Sequence, residues 1–494
     1  MKRLSTGMRA QRENKMPNSR FLEGTTIGEI GMNSDSKSRN RQTECIFYGL
    51  SGRSLRRLSI AALAIIAALA PLRRSDAQNP TAGHTEQKWV GTWATAPQAA
   101  TPARVPSFHN QTLRLIVHTS VSGKKVRVRL SNTFGDQPVL IGAAHIARRA
   151  SEANVDASSD RKVTFEGRES KTIPPGGLVV SDAVDLDVPA LSDLAISLFL
   201  PEATSAKTVH ILAKQTSYMS AENSGDVTAA AEFPTPTKID TWPFLTGVDV
   251  AASAHRGAIV AFGSSTTDGD GSTDDENHRW PDVLAERLQK SGGANADLGV
   301  LNEGIIGNRL LSDSHSPGQA GGPFGATLER YGDALGQAGL ARYQRDVLDQ
   351  AGARYVVLVL GINDILFPGQ FIPASESVTA QNLIDGNRKL LTRAHEKGIR
   401  VIETTIPPFE DATFQNPVIK FSTPEKEKVR QQVNAWIRSS REFDGVIDFD
   451  EVLRDPSHPA RLLPKYDAGD HLHANDAGYI ASANAIRLAL FREH

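Results

Sequence analysis

The chain has 494 residues, more than one hydrophobic core usually serves, so we expect two or three structural units. Hydrophobic residues make up 39% and charged residues 22%, as in ordinary soluble globular proteins. The formal net charge of -1 gives no electrostatic basis for nucleic acid or an anionic membrane as the main partner. The single cysteine, Cys45, lies upstream of a predicted export signal. The mature chain therefore has no disulfide framework, cysteine nucleophile or thiolate metal site.

The first 77 residues predict a leader. Residues 1–52 are polar and lack sustained periodicity, so we expect disorder there. Residues 53–77 have the order of a signal peptide: a basic start, an apolar run over residues 60–70, and small residues before Gln78. The apolar run is short for a membrane span, although an uncleaved anchor is the alternative. We therefore predict a secreted or periplasmic protein without stable membrane insertion after signal removal.

This signal lies unusually far from Met1. Either the true start is downstream of the first methionine, which we favour, or the leader is long. The pair Arg56 and Arg57 indicates twin-arginine export, and a general secretory signal is the alternative.

Residues 79–252 predict an all-β domain. Lys125 to Leu130 alternates basic and apolar residues, which is typical of a half-buried strand. Short strands with turn signals between them indicate a sandwich or a jelly-roll-like fold. The predicted strands are residues 113–117, 125–130, 163–165, 184–188, 194–200 and 209–212.

Two tryptophans and four histidines of this domain leave alternatives open. Trp89 and Trp93 either form an aromatic face for a sugar ring or pack in the core. The histidines show no metal-ligand spacing, so we interpret them as structural: His109, His118, His145 and His210.

Residues 253–494 alternate strand and helix signals, the pattern of a doubly wound parallel sheet. Helices are predicted from Trp280, over residues 382–397, after Thr423 and from about Asn475 through Phe491. The predicted strands are residues 258–262, 299–302, 355–360, 400–405 and 446–449.

Chemically useful residues follow the first three of these strands. The first ends in Gly263-Ser264-Ser265, and a serine there can be a nucleophile if a base is supplied. The second is followed by a glycine turn around Gly307, where backbone amides can face a ligand. Asn363 follows the third, and its side chain can donate to a developing oxyanion.

A fourth segment near the C-terminus carries an acid and a base. Asp470 and His473 are three residues apart, so they can meet in one loop or helical turn. The carboxylate would then orient the imidazole. His471 and His473 also allow a metal site, although the further ligands that a metal hydrolase needs are not recognisable.

These four segments resemble the signature blocks of the SGNH hydrolases, also called the GDSL esterase/lipase family. The resemblance covers the chain from Gly257 onward, and the motifs around Trp280 and Gly307 resemble a secreted bacterial subgroup with an N-terminal β-domain. It implies a flavodoxin-like three-layer α/β/α hydrolase domain without metal or other cofactor. It also implies Ser265 as nucleophile, His473 as base and Asp470 as its orienting acid.

By the same resemblance, the oxyanion donors are the amides of Ser265 and Gly307 and the side chain of Asn363. The implied substrate is an ester of a small molecule or a polysaccharide, most simply a short acyl group such as acetyl. A lipase or lysophospholipase is the alternative. The family's first block has aspartate where this chain has Ser264, which leaves open a catalytically impaired carbohydrate-binding relative.

Overall fold

The computed structural model describes residues 87–102, 105–252, 256–314, 325–414 and 420–492. All of them belong to one compact unit, Ala82–His494. The predicted leader and signal peptide lie outside the described residues. None of the helices in the described part of the chain is long and apolar enough to cross a membrane.

The region before residue 253 consists of antiparallel strands, as the sequence predicts. One sheet has the order β1-β19-β5-β11, with β12 also on β5, and another has the order β17-β16-β4-β13-β7-β8, with β9 on β7. The strands are β1 (Lys88–Ala94), β2 (Gln98–Ala99), β3 (Ser107–Phe108), β4 (Gln111–His118), β5 (Gly123–Ser131), β6 (Val139–Ile141), β7 (Ala143–Ser151), β8 (Asn154–Val155), β9 (Arg161–Val163), β10 (Lys171–Ile173), β11 (Leu178–Val180), β12 (Val184–Val188), β13 (Asp193–Leu200), β14 (Thr204–Ser205), β15 (Thr208–His210), β16 (Ser217–Met219), β17 (Thr237–Ile239), β18 (Trp242–Pro243) and β19 (Leu245–Ala252).

The alternating strand β5 shows how these sheets are held. Val126 and Val128 point into a core shared with Leu113 and Leu115 of β4. The basic residues of β5 lie on the other face, as period-two alternation requires. That face is not simply solvated, because Arg129 is buried and donates to Gln350 of the following region at 2.6 Å.

The interpretation of the tryptophans as an aromatic face for a sugar ring is wrong for Trp93. Its side chain is buried and meets Trp242 edge-on, with ring centroids 4.9 Å apart. Trp89 is half-buried beneath the guanidinium of Arg127, 4.4 Å from its ring centre.

The region after residue 256 is built on a parallel sheet, which confirms the predicted fold class. Among the described residues its strand order is β21-β20-β22-β23-β24, the 2-1-3-4-5 order of flavodoxin-like folds. The strands are β20 (Gly257–Gly263), β21 (Leu298–Gly304), β22 (Ala353–Val359), β23 (Arg400–Thr404) and β24 (Gly445–Ile447), with a separate antiparallel pair β25 (Arg454–Asp455) and β26 (His458–Leu462). The helices are α1 (Ser265–Asp268), α2 (Trp280–Ser291), α3 (Gly325–Tyr331), α4 (Gly339–Tyr343), α5 (Ile362–Leu366), α6 (Ala380–His395), α7 (Pro424–Ser439), α8 (Phe449–Leu453) and α9 (Asp476–Ala485), with short 3-10 turns at Ala157–Ser159, Gly293–Asp297, Gly332–Leu335, Ala374–Glu376, Pro464–Tyr466 and Leu488–Phe491 and a π-helical turn at Gln344–Leu348.

Both faces of the parallel sheet are buried, which gives three layers. In β20, Val260 and Phe262 pack with the helices α5, α6 and α7, whereas Ile259 and Ala261 pack with α2 and α9. This explains the unbroken apolar run of β20. The carboxyl ends of the strands are therefore left free to carry the loops of a site.

Most helix boundaries follow the sequence signals. Thr423 accepts from the Lys426 amide at the start of α7, and Thr379 forms a capping box at the start of α6. The last helix differs from its prediction. It ends at Ala485, and the apolar residues beyond it continue in a 3-10 turn instead, where Phe491 packs against Tyr355.

Candidate active site

The turn after β20 places Ser265 at the first position of helix α1. Gly263 ends the strand, and Ser264 is extended before the helix begins. The Ser265 side chain is nearly buried, while the hydroxyl of Ser264 is fully buried. Within the described residues, the Ser264 hydroxyl has no hydrogen-bond partner. The two adjacent serines therefore have different environments, and of the two hydroxyls only that of Ser265 contacts a base.

A chain of hydrogen bonds joins Ser265, His473 and Asp470. The Ser265 hydroxyl lies 2.8 Å from Nε2 of His473, and the Asp470 carboxylate lies 2.6 Å from Nδ1. Because a carboxylate only accepts, Nδ1 carries the proton and Nε2 is left to accept from the serine. The other oxygen of Asp470 accepts from the backbone amides of Leu472 and His473, which fixes the carboxylate.

The charges around this histidine favour its protonated form. Burial of His473 opposes the imidazolium, but the carboxylates of Asp270 and Asp470 outweigh burial and raise its pKa. Burial also raises the pKa of Asp470, and the hydrogen bond from His473 overcomes this and leaves that pKa below its usual value. The site can thus hold a carboxylate beside a histidine that accepts a proton readily.

The glycine turn after β21 is held against α1. Asp268 accepts from the Ile306 amide at 2.8 Å, and Gly304 lies so close that a Cβ there would meet the Asp268 amide at 2.2 Å. Gly307 has φ of 72°, a conformation that glycine adopts without strain. Among the described residues, the amides of Gly307 and Ser265 donate to no protein group. Both are free to bind an oxyanion.

Helix α5 attaches to the same turn. One N–H of the Asn363 side chain donates to the carbonyl of Asn308 at 2.9 Å, which leaves the second N–H of the amide. Asp364 accepts from the amides of Leu310 and Leu311 at 2.7 and 2.9 Å. Burial raises the pKa of Asp364 to about 6 in spite of those two bonds. The structure thus joins the second and third predicted segments directly.

Arg342 of α4 is a supporting residue that sequence reasoning missed. Its fully buried guanidinium donates to the carbonyls of Gly263 and Glu303 at 2.8 and 2.9 Å, and to the Asn308 side chain at 3.0 Å. It also pairs with Asp346. One side chain therefore ties together the ends of β20 and β21. No local motif marks it, because two of its partners are backbone carbonyls and all except Asp346 lie at least 34 residues away along the chain.

His210 of β15 also reaches the site, although sequence reasoning treated it only as structural. Its Nδ1 lies 2.9 Å from the carbonyl of Ala96, and its Nε2 lies 2.9 Å from the Asp268 carboxylate. Both groups are buried. The carbonyl only accepts, so Nδ1 donates to it, while Nε2 contacts the Asp268 carboxylate. The β-rich region thus supports the loop that follows Ser265.

His471 does not join His473 in a common site. It has a positive φ of 61°, and its ring contacts Asp467 at 2.5 Å. In the described part of the chain, no group of three or more histidine, cysteine or acidic side chains is arranged to hold a metal ion.

Comparison with known proteins bears on this region. A model of the family described as GDSL-like lipase/acylhydrolase matches residues 259–486, which include the four segments. The comparison with curated proteins finds no match.

Several solved structures that are similar to the chain are named as enzymes, and two of them serve as examples. One is the aryl esterase of M. smegmatis, with 18% identity and a TM-score of 0.33, covering 46% of this chain and 95% of that one. Another is a GDSL-like lipase from Bacteroides thetaiotaomicron, with 17% identity and a TM-score of 0.30, covering 47% of this chain and 87% of that one.

Proposed function

From the membership of its C-terminal part, residues 259–486, in the GDSL-like lipase/acylhydrolase family, we propose that this protein is a serine esterase. Ser265 is the nucleophile, His473 the base and Asp470 the acid that orients the base. The observation that carries the proposal is the pair of contacts on His473, 2.8 Å to the Ser265 hydroxyl and 2.6 Å to Asp470.

The geometry supports acyl transfer in two steps. As the Ser265 oxygen attacks the ester carbonyl, Nε2 of His473 takes the serine proton and then gives it to the leaving alcohol. Water repeats the sequence on the acyl-enzyme, releasing the acid and restoring the serine. The negative oxygen of each tetrahedral intermediate is stabilised by the amides of Ser265 and Gly307 and by Asn363. Each such donor is worth about 3–4 kcal/mol by precedent.

We further propose short acyl esters of small molecules or polysaccharides as substrates, hydrolysed after export. Where the structure describes the chain, the large hydrophobic side chains that are exposed belong to the β-rich region: Val105, Leu178 and Val180. A surface that docks on lipid would expose such side chains around the site. This supports water-soluble substrates over a lipase or lysophospholipase activity.

Hydrolysis of p-nitrophenyl esters from acetyl to palmitoyl tests this proposal. We expect turnover of the short esters, and its loss in Ser265→Ala. Ser482→Ala is the matched control, since its buried hydroxyl bonds only within helix α9, at Gly478. A long-chain optimum would move the assignment to lipids. Folded wild-type protein without turnover would favour a binding relative.

A further inference from the structure

A second carboxylate lies beside His473, on the side that faces Ser265. Asp270 follows helix α1, and its Oδ2 is 3.7 Å from Nε2 of His473. Its backbone is fixed at both ends, because its amide donates to the Ser265 carbonyl at 3.0 Å and its carbonyl accepts from the Tyr479 hydroxyl. The backbone of Asp270 is therefore held next to Ser265 by the fold.

Asp270 differs from Asp470 in what it binds. Asp470 contacts Nδ1 and is occupied by two backbone amides as well. The Asp270 carboxylate makes no hydrogen bond within the described residues, and its side chain is 34% exposed. It thus keeps free acceptor positions next to the reacting groups.

The surroundings of Asp270 are open to a ligand on one side. Tyr331 of helix α3 is half-buried, and burial together with the charge of Asp270 raises the pKa of its phenol. Among the ion pairs of the described chain, Asp270 is the only carboxylate that pairs with Nε2 of His473, because Asp470 pairs with Nδ1.

The chemistry of ester cleavage indicates which part of the substrate lies near this carboxylate. The leaving oxygen must come within hydrogen-bond distance of Nε2 to receive its proton. A group 3.7 Å from Nε2 is therefore within reach of the leaving alcohol. An ionised carboxylate accepts hydrogen bonds and repels negative charge, so it distinguishes alcohols by what they carry next to the ester oxygen.

We propose that Asp270 is a specificity-determining residue that accepts a hydrogen bond from a hydroxyl adjacent to the ester oxygen of the leaving alcohol. The site consequently favours esters of polyhydroxylated alcohols and disfavours alcohols bearing an anionic group. This inference rests on the proposed function and specifies the class of alcohol in the ester substrate.

Three acetate esters of similar size test the proposal: ethylene glycol monoacetate, 2-methoxyethyl acetate and acetoxyacetate. The first carries a hydroxyl donor, the second lacks it, and the third carries an anion. We expect wild-type kcat/KM to favour the first over the second by about tenfold or more, as for a hydrogen bond to a charged group. All three are measured on the plateau of the pH–rate profile, where His473 is neutral.

Two variants separate the hydrogen bond from the charge. Asp270→Leu should abolish the preference for the hydroxyl and the discrimination against acetoxyacetate. Asp270→Asn keeps an acceptor oxygen but loses the charge. It should therefore retain part of the preference for the hydroxyl and lose the discrimination against acetoxyacetate. Asp274→Asn is the control in the same loop, because that carboxylate is 71% exposed and pairs with Lys214.

The outcomes separate this inference from the proposed function. Wild-type turnover of none of the three esters, with folded protein, overturns both. Turnover that Ser265→Ala abolishes, with ratios unchanged in both Asp270 variants, overturns only the role of Asp270. An equal fall for all three esters also overturns it, since Asp270 would then act through His473 and not on the alcohol.

Discussion

Ser264 stands where the GDSL family that this chain resembles has an aspartate. Its hydroxyl is fully buried and, in the described part of the protein, unpartnered, while its backbone carries the turn through bonds to Val359, Thr267 and Asp268. An unpaired buried hydroxyl gives up its bonds to water without return. We therefore expect Ser264→Ala to keep the melting temperature or raise it slightly, and to change kcat/KM by less than about threefold.

Thermal unfolding and ester turnover of Ser264→Ala check this prediction together. A marked loss of both would mean that the hydroxyl binds a group that is absent from the described residues. Loss of turnover alone would give Ser264 a direct part in the reaction.

The pH dependence should reflect the charges that face His473. Burial lowers its pKa, but the carboxylates of Asp270, Asp470 and Asp467 raise it more, so it lies above the usual value for histidine. The base works only when neutral, and activity is lost as the pH falls through that raised pKa. The acidic limb of kcat/KM should thus lie at a higher pH than an unperturbed histidine would give.

Removing the charge of Asp270 should move this limb. In Asp270→Asn we expect it at lower pH by about one unit, because a neighbouring opposite charge of this kind shifts a pKa by that order. Asp274→Asn should leave it in place. A profile that is unchanged in Asp270→Asn would show that this carboxylate does not influence the histidine.

Arg342 holds the carboxyl ends of strands β20 and β21 together. Its guanidinium meets Gly263, Glu303, Asn308 and Asp346 without exposure to solvent. Lysine has the charge but not the planar fork, so Arg342→Lys leaves buried carbonyls unpaired. We expect a loss of about 3 kcal/mol in unfolding free energy.

Denaturant unfolding measures this loss, with Arg388→Lys as control. Arg388 pairs with Glu442 at the surface with 45% of its side chain exposed, so its replacement should cost less than about 1 kcal/mol. Equal small effects in both variants would show that the two strand ends are held without Arg342.

Local sequence patterns predicted the strands and loops because those patterns are set by immediate neighbours. The apolar run of β20, the capping by Thr423 and the loop around His473 are all encoded within a few residues. Arg342 and His210 could not be predicted in this way. Their partners lie between 4 and 114 residues away along the chain, and half of them are backbone carbonyls that carry no sequence signal.

The β-rich region packs on the parallel sheet and also forms a hydrogen bond with its edge strand. The edge strand β21 is covered, because Val300 donates its amide to Ser120 at 2.9 Å. Gly299 faces the carbonyl of Gly91 so closely that a Cβ would meet it at 2.1 Å. An edge covered in this way is protected from pairing with another chain. We infer that one role of the β-rich region is to cover the edge of the parallel sheet.

The same region also contacts helix α1, which begins at Ser265, through His210. In His210→Ala, the buried carboxylate of Asp268 and the carbonyl of Ala96 lose their partner. Breaking a buried pair of this kind costs about 3–5 kcal/mol. Asp268 also holds the Ile306 amide next to Gly307, so we expect kcat to fall at least about tenfold, or ~1.4 kcal/mol of barrier, with little change in KM.

The control for His210→Ala is His118→Ala, whose histidine pairs with Asp193 at 2.7 Å within the β-rich region. That change should lower stability without a specific loss of kcat, because neither residue contacts the turn around Ser265. His210→Gln, which keeps a donor, should recover part of the rate. If kcat stayed at the wild-type value in folded His210→Ala, the β-rich region would support the sheet but not the reaction, and the position of Gly307 would depend on the hydrolase domain alone.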